Sequence, residues 1–197
     1  NDANDTTAIT LVASSTFVGT SLIDAITIGT GTNTVTGGAG ADVMTGGGVD
    51  TFVYAVGDST VTIAGTGNAG TITGYDKINS FTTGTTANLK DTIDVAGTGA
   101  LATAAGSVDG TDSTLTVSGT VVGTHTIAAD GEVIFDQIAA DGVDTNAILA
   151  AAVQYLQSND IGDAGMTVWM TGQIDTNSTF IYTQTGDTAG GEVIQLV

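Results

Sequence analysis

Residues 37–45 read GGAGADVMT, and this stretch decides the fold. Glycines stand at its first, second and fourth positions. Without a Cβ, the backbone there turns tightly with φ > 0 and presents its carbonyl oxygens. Asp42 follows with a hard carboxylate oxygen, the ligand type that Ca²⁺ prefers. Two residues on, Met44 is placed to point inward from a short strand, because successive side chains of a strand face opposite ways.

The neighbouring segments repeat this arrangement. Nine residues back, 28–36 (IGTGTNTVT) puts Asn33 under Asp42 and Val35 under Met44. Another nine back, 19–27 (GTSLIDAIT) gives Asp24 and Ile26. Ahead, 46–54 (GGGVDTFVY) reaches Asp50 one residue early and continues with Phe52. An apolar column Phe17, Ile26, Val35, Met44, Phe52 thus runs beside a polar column Asp24, Asn33, Asp42, Asp50. Residues 37–45 fit the calcium-binding nonapeptide G-G-x-G-x-D-x-U-x, where U is a large apolar residue. Each unit is a turn plus a strand too short to hide its own apolar face. Two units make one coil, and stacked coils bury the column.

This geometry fixes where ions are expected. Units on one side lie 18 residues apart, with strands about 4.8 Å from one another. Calcium is expected between Asp24 and the turn 37–42, and between Asn33 and the turn 46–50. Side chains alone are too few for six to eight ligand positions, so backbone oxygens of the turns must contribute. The candidate ligands are therefore Asp24, Asn33, Asp42 and Asp50 with the turn residues Gly29, Thr30, Gly31, Gly37, Gly38, Gly40, Gly46 and Gly48. Asn33 is neutral, so its site should bind more weakly.

The whole chain agrees with a cation requirement. It has 197 residues and a formal net charge of −19, with Lys77 and Lys90 as its only basic side chains. All acids except Glu132 and Glu192 are Asp, the better turn former. A chain this acidic repels itself unless cations neutralise it. Nucleic acid is excluded as a partner, because no basic patch exists to displace counterions. The absence of Cys removes disulfides and thiolate metal sites. Abundant Gly, Thr, Ala and Val without Pro suggest many short strands joined by turns. The chain starts at Asn1 with no signal-like stretch, which reads as a fragment or a processed piece.

Past Tyr54 the repeat fades. Residues 57–61 (GDSTV) end it, and 75–95 read YDKINSFTTGTTANLKDTIDV. Together with the nonapeptide, Phe52, Asp58, Asp76, Ile78, Phe81, Asp91, Ile93 and Asp94 resemble the C-terminal calcium β-roll module of the RTX family. The version they are most similar to occurs in serralysin-type proteases and in type I-secreted bacterial surface-layer proteins. The resemblance covers residues 19–97. It implies further ligands at Asp58, Asp76, Asp91 and Asp94, and an extracellular, cell-surface location reached by type I secretion. Ser80 stands where the family has Asp, and residues 62–74 look like an insertion.

The second half reads as β-rich with one helix. Strands are expected within 113–127, 128–135, 167–171, 178–183 and 186–197. Helical spacing of Ile148, Leu149, Ala152, Val153 and Leu156 places a helix near 144–157, capped by Asp144 or Thr145. A turn at 175–178 is a further weak calcium candidate. The expected domains are an N-terminal strand or linker at 1–18, the β-roll at 19–97, and a β-rich C-terminal segment at 98–197. The fold class is mainly β: a short parallel β-roll followed by a β-rich segment with one α-helix.

Catalysis has little to rest on. His125 is the only histidine, and neither H-E-x-x-H nor G-x-S-x-G occurs. Pairs such as Asp91/Asp94 and Asp109/Asp112 read as turn or ligand acids. The expectation is no enzyme. It is a calcium-dependent extracellular structural protein that self-assembles into a surface layer, filament or matrix, with cell-surface glycan as a partner through cation bridging. The alternative is the secretion and folding module of an exported protease or lipase, which demands a catalytic domain ahead of Asn1.

Overall fold

Strict alternation of buried and outward residues builds the first half. In the computed structural model, residues 8–12, 14–65, 70–84, 90–95, 100–101, 115–117, 120–122, 125–135, 145–159, 165–171, 177–185 and 191–197 are described. The tail 1–7, most of 97–110, and Asp109, Asp112, Asp144 and Asp175 lie outside them. The chain is mainly β, with parallel coils first and a β-rich part with one helix after them. It divides into two units. The first comprises Asn1–Thr60, Gly74–Gly97 and Ile194–Val197; the second comprises Val61–Thr73 and Thr98–Val193.

In the first unit the chain winds between two parallel sheets. β1 (Ala8–Leu11), β3 (Ala25–Ile28), β5 (Val43–Thr45) and β9 (Asp76–Asn79) follow one another in the first sheet. β2 (Thr16–Val18), β4 (Thr32–Thr36), β6 (Val49–Tyr54) and β10 (Thr92–Val95) form the second. Ala25 pairs with Val43, and Thr16 with Thr34, so one full coil is 18 residues. From β4 to β6 the step is one residue shorter, Asn33 pairing with Asp50. Inward positions carry Ile26, Ile28, Val35, Met44, Phe52, Tyr54 and Ile78, all buried. Each such side chain contributes roughly 1.5–3 kcal/mol by leaving water. Phe17, in the outermost strand of its sheet, is only half-buried.

Outward positions of the second sheet are mostly threonine. Register aligns Thr16, Thr34, Thr51 and Thr92 across all four strands. The first sheet gains a fifth strand from the far end of the chain. Ile194–Leu196, the end of β18 (Gly191–Leu196), run parallel to β9, with Ile194 opposite Asp76 and Leu196 opposite Ile78. Val197 fastens this end, donating its N–H to Ile78 and accepting one from Phe81.

The second unit takes the insertion at 62–74. It folds as an antiparallel hairpin of β7 (Thr62–Ala64) and β8 (Thr71–Thr73). β8 packs on α1 (Thr145–Asn159), whose Gln154 amide donates to the Gly65 carbonyl at 3.3 Å. Helical spacing suggested one apolar face, yet 147–153 are buried all round, Ala150 and Ala151 included. A helix apolar on every side is a core helix. β16 (Met166–Met170) and β17 (Thr179–Gln184) form the expected antiparallel pair. β11 (Ala100–Leu101) adds to it in parallel. Two small hairpins complete the described residues: β12 (Leu115–Val117) with β13 (Thr120–Val122), and β14 (His125–Ile127) with β15 (Val133–Phe135). His125 is buried, and its Nδ1 meets the Tyr155 hydroxyl at 3.0 Å.

Candidate metal centre

Asp24 and Asp42 each stand one residue before their strands, and Asp76 opens its own. The parallel register therefore stacks the three in one column along the first sheet. Each reaches back to the coil before it. Asp42 Oδ1 accepts the Asp24 N–H at 2.8 Å, and Asp76 Oδ1 accepts the Asp42 N–H at 2.8 Å. Ser59 Oγ accepts the Asp76 N–H at 2.7 Å and ends the series. At a corner the strand ladder has not begun, so a short side chain must satisfy the backbone donor.

A second column lies along the other sheet, through Asn33, Asp50 and Asp91. Asn33 Oδ1 accepts from the Ser15 N–H at 3.1 Å, and Asp91 Oδ1 from the Asp50 N–H at 2.8 Å. Here the remaining atoms are also engaged. The Asn33 amide donates to Asp50 Oδ1 at 2.8 Å and to the Gly29 carbonyl at 3.3 Å. Asp50 Oδ2 accepts from the Gly47 N–H, and Asp91 Oδ2 from the Thr82 N–H.

The first column is satisfied only at its outer end. Asp24 Oδ2 accepts both the N–H and the hydroxyl of Thr20, at 2.7 and 2.9 Å. Asp42 Oδ2 has no hydrogen-bond partner, while the Asp76 carboxylate and the Tyr54 hydroxyl lie close enough to interact but fall short of full hydrogen-bond geometry. These residues are 0 %, 0 % and 1 % exposed. Burial pushes the Asp42 carboxyl up to about 6, with the charges of Asp24 and Asp58 adding to it. Burial likewise pushes Asp76 up to about 8, opposed by the Asp42 N–H and the Tyr54 hydroxyl and helped by the charges of Asp42 and Asp58. The Tyr54 phenol is raised by burial and by the same acids, Asp76 first. The four groups therefore share one low-dielectric region with concentrated negative charge.

The glycines explain how the turns come this close. Gly38 has φ of 93°, and a Cβ there would strike the Thr20 carbonyl of the coil before. A Cβ on Gly37 would strike Asp42 Oδ2, so that oxygen lies folded back into its own turn. Gly40 packs its backbone on Leu22, and Gly48 on Gly31. Gly31 and Gly46 are tied into the ladder, Gly31 accepting from Val49 and Gly46 donating to Asn79. Gly29 donates to Leu11, and Thr30 is exposed in its turn. Asp58 is half-buried and accepts the Ala55 N–H at 2.8 Å. Asp94 is exposed on β10, on the outward side opposite Val53. Ser80 takes a left-handed φ of 59°, a conformation that suits Asn or Asp better.

Two participants escaped the sequence pattern. Tyr54 occupies an inward strand position and reads as core; nothing in the string marks its hydroxyl as facing acids. Ser59 takes the place of an Asp in the column, and only the run G-D-S hints at it. Among the described residues, no three acidic or imidazole side chains already converge as a metal cluster. Asp42 Oδ2 and Asp76 Oδ2 are hard oxygen donors of the kind a hard cation takes. No protein-family model, no curated protein and no solved structure matches the chain.

Proposed function

We propose that the chain is a calcium-dependent extracellular structural protein, with an RTX-like roll, that self-assembles into a surface layer or filament. One observation carries this reading. A regular parallel coil stacks carboxylates into its interior and leaves Asp42 Oδ2 and Asp76 Oδ2 without donors. A buried, unpaired carboxylate is expensive unless it is neutralised or paired. Ca²⁺ supplies that charge and takes oxygen ligands alone. The net charge of −19 extends the argument to the surface, where copies repel until cations bridge them. Millimolar calcium outside cells suits weak acidic sites. The threonine row Thr16, Thr34, Thr51 and Thr92 on the second sheet gives neighbouring copies an outward row without charge, Asp94 being the one acid among the described residues of that face.

The test is assembly of the purified chain, followed by light scattering and electron microscopy in calcium and in chelator. Ordered sheets or fibres that form in calcium and dissolve in chelator support the scaffold. A chain that folds with calcium yet stays monomeric at high concentration supports the exported-module alternative. A chain indifferent to calcium in both folding and assembly overturns the reading.

A further inference from the structure

We propose that the first coil of the roll is a docking face for a second copy of this chain: two rolls meet through the open edges of β1 and β2, related by a two-fold axis. This rests on the self-assembly part of the reading above and names one contact within it, a contact that involves no ion.

A solenoid stays soluble by ending on a coil with a polar outer side. The first coil here does not. Ile9 and Leu11 pair with Ile26 and Ile28, and Phe17 with Val35, so all three point inward in line with the core. Ile26, Ile28 and Val35 are at most 3 % exposed, whereas Ile9, Leu11 and Phe17 are only half-buried. Among the described residues no strand pairs with the outer side of β1 or of β2. Both edges have backbone groups to offer. Ser15 accepts the Thr34 N–H and Gly19 donates to Thr36, so Ser15, Phe17 and Gly19 turn towards β4. Backbone groups alternate sides along a strand, so those of Thr16 and Val18 point away. Leu11 accepts the Gly29 N–H, which turns Thr10 outward on β1 in the same way. Edges that must stay single are blunted with charge, proline or a bulge. The strands AITL and TFV carry neither charge nor proline.

Charge selects the occupant. Residues 8–41 carry one charged side chain, Asp24, and it is buried. Val12, Val18 and Ile23 are exposed in the same stretch. In a chain of net charge −19, this is the end at which two copies approach without repulsion. The opposite end of the roll suits a partner less. Asp94 is exposed there on β10, and β9 already pairs with Ile194–Leu196, so among the described strands only β10 is open. An end with two open edges is matched by another end with two. A two-fold axis brings the same patch of both copies together, the commonest form of assembly. It sets β1 against β1 and β2 against β2 in antiparallel pairs, the more stable kind of ladder. Like edges match in length, and Phe17 of each copy then covers the half-buried layer of the other.

Thr16→Glu combined with Val18→Glu puts acids at two exposed positions and leaves the core and the ladder to β4 untouched. Sedimentation velocity in calcium, below the concentration at which sheets or fibres form, reads the result. The wild type should sediment as a dimer, and the variant should associate at least about tenfold more weakly while keeping the wild type's circular dichroism. If the pair of substitutions unfolds the roll, Thr10→Glu on the β1 edge is read in the same way. A second variant reads the orientation. The chain has no Cys, so Phe17→Cys supplies a single thiol. The two-fold contact brings that thiol to its mate, and mild oxidation should give a covalent dimer; Thr16→Cys serves if Phe17→Cys does not fold. A dimer that survives the acids, or whose introduced thiols do not couple, overturns the docking face. So does a wild type that stays monomeric up to the concentration at which sheets or fibres appear, and in each of these cases assembly in calcium leaves the scaffold reading standing. A wild type that is monomeric and never assembles overturns both.

Discussion

The two polar columns of the roll pose one problem and answer it differently. Both must satisfy backbone N–H groups at corners where no strand ladder reaches, and both do so with short side chains from the next coil. In the Asn33–Asp50–Asp91 column every carboxylate oxygen also receives a donor from within the protein. In the Asp24–Asp42–Asp76 column two oxygens receive none. One column therefore meets its carboxylates with donors of its own, and the other leaves two buried oxygens without them. The difference shows that one repeat geometry admits two ways of bonding its corner residues.

The largest effect is expected in the column that supplies its own donors. Asp50→Ala strips the acceptor from the buried Asn33 amide and from the Gly47 N–H. Each stranded donor costs roughly 1–3 kcal/mol, so the variant should lose about 4 kcal/mol of stability. Urea denaturation should give the same loss in calcium and in chelator. A loss that calcium repairs would mean that this column also depends on an ion. A smaller, reversible effect follows from making this column resemble the other one. Asn33→Asp removes the amide donor and sets a carboxylate against Asp50. In chelator the variant should lose about 2 kcal/mol. Calcium should restore it, and calorimetric titration should count one more ion than the wild type binds. Failure to gain an ion would break the equivalence of the two columns.

The gentlest effect per step of the titration is a pH slope. The Asp42 and Asp76 carboxyls titrate at about 6 and about 8 in the folded chain, above the ordinary carboxylate range. The folded chain thus holds these protons more tightly than the unfolded chain does. Between about pH 4 and pH 8 stability must fall as pH rises, by about 1.4 kcal/mol per unit for each proton the folded chain holds and the unfolded chain has lost. Chemical denaturation across this range in chelator should show the fall, and saturating calcium should flatten it. A slope unchanged by calcium would separate the titrating acids from the ion.

Much of the roll was legible because its signals are periodic. The column Ile26, Val35, Met44, Phe52 follows from counting nine residues, and the paired sheets follow from its burial. Ala147 to Val153 show where counting stops helping. Alanine is apolar but small, so spacing marked Ile148 and Leu149 and missed that the turns 147–153 are buried all round. The polar column was legible as residue types but not as bonds. Asn33 reads as a weaker version of Asp, because both present a carbonyl oxygen at the same place. Its other atom is a donor, and the direction of that donor separates the two sides of the roll. The Tyr54 hydroxyl and Ser59 depend on contacts between coils 17 or more residues apart, which no local pattern carries.

The strand formed by Ile194–Leu196 makes the order of the chain matter. Because these last residues lie beside β9, and the hairpin at 62–73 belongs with the later part, each unit is assembled from separate lengths of polypeptide. No single scission can free one unit intact. A cut in any one connection would leave the first unit built from the lengths of chain on both sides of it.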